Sequence, residues 1–289
     1  MICAAFLCAA ALVFSPENAK SALDRTGEFV KANPRRDAGT YGGKAAARWL
    51  LGKASIVGGN VYQDVFSAET PIGKKSFTNL YCPFQRNPDA PWTVIVSHYD
   101  TKPGIDCPGA NDGGATSCLM VELVQILFDN RDYDRNVLFV WTDGEECAGA
   151  RYSDNDGFQG SKRAAAMLKE KKYRVDGVYV LDMLGDKNLK FSLPTNISMD
   201  LARRTIAAAK KIGLRRDSFV KLGSTVLDDH VAFLDAGFPA MDLIDFEYGS
   251  SPGLNDYWHT SEDTADKLSE ESLLTVGKLV CEILSAEEK

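Results

Sequence analysis

The 289-residue sequence has no CxxC pair, no internal repeat and no Pro/Ser-rich linker. The first absence argues against a zinc knuckle built on paired cysteines. The other two favour one domain over two, which is common for chains of this length with alternating helices and strands. Positive charge is also in short supply. With 33 Lys and Arg against 40 Asp and Glu, the formal net charge is −7, and the basic residues are dispersed rather than striped. That pattern excludes a phosphate-tracking surface, so nucleic acid is not an expected partner. Histidine is scarce too: only residues 98, 230 and 259, each in a turn or at a strand end beside acidic residues.

The opening run "MICAAFLCAAALVF" is apolar but too short to cross a bilayer comfortably, and "SPENAKS" follows it. It reads as a secretory leader over residues 1–19, with residues 20–289 as a single catalytic domain. The expected location is secreted or periplasmic, and the mature protein has no membrane span. The run lacks a basic start, and Glu17 stands where a small residue is preferred before a cut after Ala19. The alternative is a hydrophobic N-terminal helix of the mature protein. Beyond residue 19 an odd five cysteines remain, Cys82, Cys107, Cys118, Cys147 and Cys281.

Apolar material is ample at 45% of residues, enough for a large core. "SALDRTGEFVKANPRR" and "GTYGGKAAARWLLGKA" read as helices, the second with Ala46, Trp49, Leu50 and Leu51 on its apolar side. "GNVYQDVFSAE" and "KKSFTNLYCPF" alternate as strands do. The short apolar runs "WTVIVSHYD", "NVLFVWTDGEE", "GVYVLDMLGD" and "FPAMDLIDF" follow, separated by the helical stretches "TSCLMVELVQILFDN", "FQGSKRAAAMLKEKK" and "SMDLARRTIAAAKKIG". Strands alternating with helices predict a largely parallel sheet covered on both faces, with ligands beyond the carboxyl ends of its strands.

Polar residues close each run: His98 and Asp100, then Glu145 and Glu146, then Asp182, while "GANDGGATS" carries Asp112. Several have structural readings. Asp112, Asp228 and Asp229 suit helix N-caps, and Glu145 with Glu146 suits a solvated loop. Asp182 is harder to place that way, because it interrupts a strand buried on both faces and an ionised carboxylate there needs a metal or strong hydrogen bonds. Taken together, Asp112, Glu146 and His259 offer the nitrogen and oxygen donors that zinc favours, with Glu145 beside them as a free carboxylate for proton transfer.

The ordered series "SHYDTK", "GANDGGATS", "TDGEE", "VLDMLG", "LDDHVAFLDAGFP" and "YWHTSEDT" resembles the zinc-dependent aminopeptidase-type superfamily. Within it the series resembles the animal-type glutaminyl cyclases and their bacterial relatives. The likeness runs from "FVKANPRRDAGTYGG" to the C-terminus. It implies a three-layer α/β/α sandwich with a mixed, mainly parallel sheet, and a monomer that cyclises the N-terminal glutamine of peptides or proteins with release of ammonia. It also implies one zinc on Asp112, Glu146 and His259, catalytic roles for Glu145, Asp182 and Asp228, and Trp258 and Asp242 at the substrate. In the two-metal aminopeptidases His98, Asp112 and Asp182 would hold a second zinc, and N-terminal hydrolysis is the alternative activity. "DDH" at 228–230, Trp258 before His259, the long "ARYSDNDGFQGS" connection and "FVKANPRR" resemble the cyclase branch. Asp242, where the animal enzymes have histidine, resembles the bacterial type.

Overall fold

The computed structural model describes residues 12–149 and 151–286. Among them eight strands form one sheet in the order β1-β2-β4-β3-β5-β8-β6-β7. The strands are β1 (Tyr62–Thr70), β2 (Gly73–Phe84), β3 (Trp92–His98), β4 (Asn136–Thr142), β5 (Val175–Asp182), β6 (Phe191–Leu193), β7 (Phe219–Lys221) and β8 (Ala240–Ile244). The four central neighbours β4, β3, β5 and β8 run parallel. Antiparallel pairs join β1 to β2, β2 to β4 and β6 to β8. The sheet is therefore mixed and mainly parallel.

Among the described residues seven α-helices cover it: α1 (Pro16–Ala32), α2 (Tyr41–Ile56), α3 (Thr116–Asp129), α4 (Gln159–Glu170), α5 (Met199–Lys211), α6 (His230–Asp235) and α7 (Glu270–Ser285). Alternation along the strands sends side chains to two faces. Val94, Val96, Leu138, Val140, Val178 and Val180 pack with Ala164, Ala165 and Leu168 of α4 and Phe233 of α6. Ile95, Phe139, Trp141, Tyr179 and Leu181 face the other way, into the larger core with α1, α2, α3, α5 and α7. The result is the expected three-layer α/β/α sandwich. Chain order places β4 on one side of β3 and β5 on the other, so the winding reverses there and opens a crevice at the strand ends.

The boundary expected after Ala19 falls inside α1. Ser15 caps this helix: its hydroxyl accepts from the Asn18 amide at 3.2 Å, while its own amide donates to the Asn18 side chain at 3.0 Å. Phe14 is buried against Gly277 of α7, where an added Cβ would meet its ring at 2.4 Å. Residues 1–11 of the expected leader lie outside the described residues. Further along α1, Arg25 reaches the buried Glu122 of α3 at 2.6 Å, tying the two helices together. Helix α7 and the three-residue strands β6 and β7 are absent from the sequence-based expectation. The five cysteines beyond residue 19 are free and buried.

Candidate active site

The carboxyl ends of the parallel strands deliver the expected residues to one place. His98 closes β3 and Asp182 closes β5. Glu145 and Glu146 follow β4, where the carboxylate of Asp100 accepts from both of their amides at 3.2 Å. Asp112 sits in a π-type turn, Ala110–Ala115, ahead of α3, and does not cap that helix. Asp263 holds the turn by accepting from the amides of Asn111 at 2.7 Å and Asp112 at 3.1 Å, and it also accepts from the Tyr248 hydroxyl at 2.8 Å. From the other side, the buried Arg36 guanidinium donates to the carbonyls of Tyr99, Pro108 and Gly109 at 2.7–2.8 Å. Gly113 has φ +76°, and a Cβ there would lie 2.7 Å from the His98 ring, so only glycine lets turn and histidine approach so closely.

Two triads share Asp112. His259 Nε2 lies 2.7 Å from Glu146 Oε1 and 3.3 Å from Asp112 Oδ2. His98 Nε2 lies 3.1 Å from both Asp112 Oδ1 and Asp182 Oδ1. The ligand atoms within each triad fall within 4.8 Å of one another. His259 is held with φ +56°, an uncommon backbone state for a non-glycine residue. The Trp258 ring stacks on its imidazole at 4.0 Å between centroids and also meets Phe246 at 5.7 Å.

Electrostatics point the same way. Burial and the Asp112 charge push Glu146 up to about 7, against the hydrogen bond to His259. Burial opposes the charge on His259, yet its hydrogen bonds to Asp112 and Glu146 lift it to about 9. Asp112 is held low: burial would raise it, but hydrogen bonds to His259 and His98 prevail. Burial, followed by Glu146, raises Glu145 well above the carboxylate range. Burial does the same for Asp228, followed by the charges of Asp242 and Asp182, and for Asp242, followed by the charge of Asp182 and against a hydrogen-bonding contribution from Asp228. Glu146 Oε2 is buried with no hydrogen-bond partner among the described residues, its nearest cation being Lys102. A cluster so rich in buried carboxylates, with nitrogen and oxygen donors converging, fits a divalent zinc ion.

A cavity of about 360 Å³ opens beside the cluster. Asp112, Glu145, Glu146, Asp182, Asp228 and His259 line its polar side. Trp258, Phe246, Ile244, Val226, Leu227 and Leu222 line the apolar side. Asp242, expected at the substrate, is fully buried and does not line this cavity. It sits within β8, two residues before the strand end, and faces Asp228 and His230 instead. Asp228 and Asp229 precede α6 without capping it through their side chains.

Sequence reasoning missed Tyr152, whose hydroxyl donates to Glu145 Oε1 at 3.0 Å, and Lys102, 3.4 Å from Glu146 Oε2. It also gave no role to Asp100, Arg36 or Asp263. Asp100 stood at a strand end, a usable signal; the partners of the others are distant in sequence and become visible only in the fold.

The pattern of peptidase family M28 matches residues 79–284. The chain is 23% identical over 291 residues to the glutaminyl-peptide cyclotransferase of Dictyostelium discoideum, covering 84% of this chain and 79% of that one. It is 30% identical over 222 residues to aminopeptidase YwaD of Bacillus subtilis, covering 74% of this chain but 43% of that one. Among solved structures, the glutaminyl cyclase of an Acidobacteriales bacterium superposes with a TM-score of 0.84 at 30% identity, over 92% of this chain and 93% of that one.

Proposed function

Because the chain belongs to peptidase family M28, we propose that this site is that of a glutaminyl-peptide cyclotransferase, acting as a monomer on peptides or proteins with N-terminal glutamine. Asp112, Glu146 and His259 would hold one zinc ion, which when bound supplies the Lewis acid that polarises the glutamine γ-carbonyl. Trp258, Phe246 and Ile244 pack the aliphatic part of the glutamine side chain and exclude water from it. Glu145 accepts a proton from the α-amine as that nitrogen bonds to the carbonyl carbon of the γ-amide, and returns it to the departing amide nitrogen. The hydroxyl of Tyr152 fixes one oxygen of Glu145 during this transfer. Asp228 and Asp182 orient the leaving nitrogen. The C–N bond of the amide breaks, ammonia departs, and the chain keeps every residue. Nucleophile and carbonyl belong to one residue, so holding that residue in a closed pocket supplies much of the rate advantage.

The observation that carries this reading is the likeness, over 92% of the chain and at 30% identity, to a solved structure of a bacterial glutaminyl cyclase. The apolar run at the N-terminus supports a secreted or periplasmic location. A second reading, a two-zinc aminopeptidase, is favoured by the His98, Asp112 and Asp182 triad and by the likeness to YwaD. Parallel assays on Gln-peptides and on aminoacyl reporter substrates, with zinc counted after dialysis, test the two. Ammonia release with one tightly held zinc supports the cyclotransferase; free amino acids with two zinc ions required for activity supports the peptidase.

A further inference from the structure

Behind the pocket wall, His230, Asp242 and Asp228 form a third cluster of potential ligands, all buried, that the reaction above leaves partly without a role. The hydrogen bonds around Asn196 determine what His230 does there. The Val226 amide donates to Asn196 Oδ1 at 3.0 Å, and Asn196 Nδ2 donates to the Val226 carbonyl at 2.7 Å. A backbone amide can only donate and a carbonyl can only accept, so this double contact fixes which way the Asn196 side chain is turned. The second hydrogen on Nδ2 points to His230 Nε2, 3.0 Å away. His230 Nε2 is therefore an acceptor, and a neutral imidazole then carries its proton on Nδ1. Burial holds His230 down to about 4, which keeps it neutral.

His230 Nδ1 faces Asp242 Oδ2 at 3.7 Å, an electrostatic contact longer than a hydrogen bond, and neither atom has a hydrogen-bond partner among the described residues. Asp242 shares this cluster with Asp228, with ligand atoms within 4.8 Å of one another, and interaction with the Asp228 carboxyl holds Asp242 down against burial. Because Nδ1 carries a hydrogen, it has no lone pair to offer a metal, so the cluster is a proton network and not a third metal site.

We propose that His230 is a positioning residue, whose Nδ1–H makes Asp242 the acceptor of the carboxyl pair, leaves the pair's proton on Asp228, and so directs Asp228 to meet the substrate's nitrogen with an accepting oxygen. Val226 lines the pocket, so the same clamp ties the wall that touches substrate to the tautomer behind it. The role given to Asp228 rests on the cyclotransferase reading; the tautomer does not.

Two variants separate the ring's two edges. His230→Asn places an amide N–H near the position of Nδ1, whereas His230→Gln places its amide near Nε2 and withdraws the donor from Asp242. The expected result is a fall in kcat of about 10- to 100-fold for His230→Gln, with KM and zinc content little changed, and substantial retention of kcat in His230→Asn. In the zinc-loaded wild type, nitrogen NMR of the histidine rings, assigned by the signal lost in His230→Asn, should show a neutral Nδ1–H imidazole. An Nε2–H tautomer, or equal loss of kcat in both variants, overturns the proposal. The spectrum needs no turnover, so silence toward Gln-peptides would count against the proposed function and leave the tautomer assignment intact.

Discussion

Glu145 is the residue on which the proposed chemistry depends most. Glu145→Gln keeps the shape and removes the proton acceptor, and should lower kcat about 100- to 10,000-fold while zinc content and melting temperature stay near wild type. Activity surviving in this variant would move the proton shuttle to Asp228. Trp258 lines the cavity, stacks on His259 and meets Phe246. Trp258→Ala should raise KM more than it lowers kcat, with zinc retained through Asp112 and Glu146; unchanged kinetics would leave the indole only a loop-anchoring role. At this scale the sequence was informative where a residue's own chemistry announces it. Asp112, Glu146 and His259 are candidate ligands by type, and they do converge. Asp242 is buried beside Asp228 and His230, and type and position in the chain do not reveal which carboxylate of such a pair faces the pocket. Asp100 and Asp263 act by accepting from main-chain amides, a task that any carboxylate in the right place can perform; the strand end marks Asp100, but nothing in the sequence marks Asp263.

Among the elements, the buried runs β3, β4, β5 and β8 were legible because each is short, apolar and closed by a polar residue. Strands β6 and β7 span three residues each, too short for alternation to register. Helix α7 was recoverable in principle: Ser269 caps it, and Glu270 and Glu271 occupy its first turn. The link from the end of α1 to the turn before Asp112 was not, because it is made by one guanidinium and three carbonyls from another stretch of chain. Arg36→Lys keeps the charge but not the planar fork, and leaves buried carbonyls unpaired. Stability in denaturant unfolding should fall by about 2–3 kcal/mol, and zinc should dissociate more readily. A change within a few tenths of a kcal/mol would mean that the turn holds its shape without Arg36.

For the whole molecule, the fold class was predictable from the alternation of strands and helices, and the reversal of winding at β3 explains why the site lies where it does. An apolar run before a polar one suits a leader and also suits a helix entry, and α1 begins ahead of the boundary expected after Ala19. The proposed reaction also sets a pH dependence through its substrate. The attacking α-amine must be neutral, and its unperturbed pKa is about 7.7–8.0. Turnover of Gln-peptides at low substrate concentration should therefore rise as pH passes through that range, because deprotonation creates the nucleophile; a rate that falls over the same interval would contradict an amine nucleophile. The most direct measurement is mass spectrometry of one Gln-peptide, with and without an acetylated N-terminus, after incubation with the zinc-loaded protein. The account predicts that the free peptide loses one ammonia and keeps all its residues, and that the acetylated peptide is unchanged. Loss of the whole N-terminal residue from the free peptide, or ammonia released from the acetylated one, would contradict it.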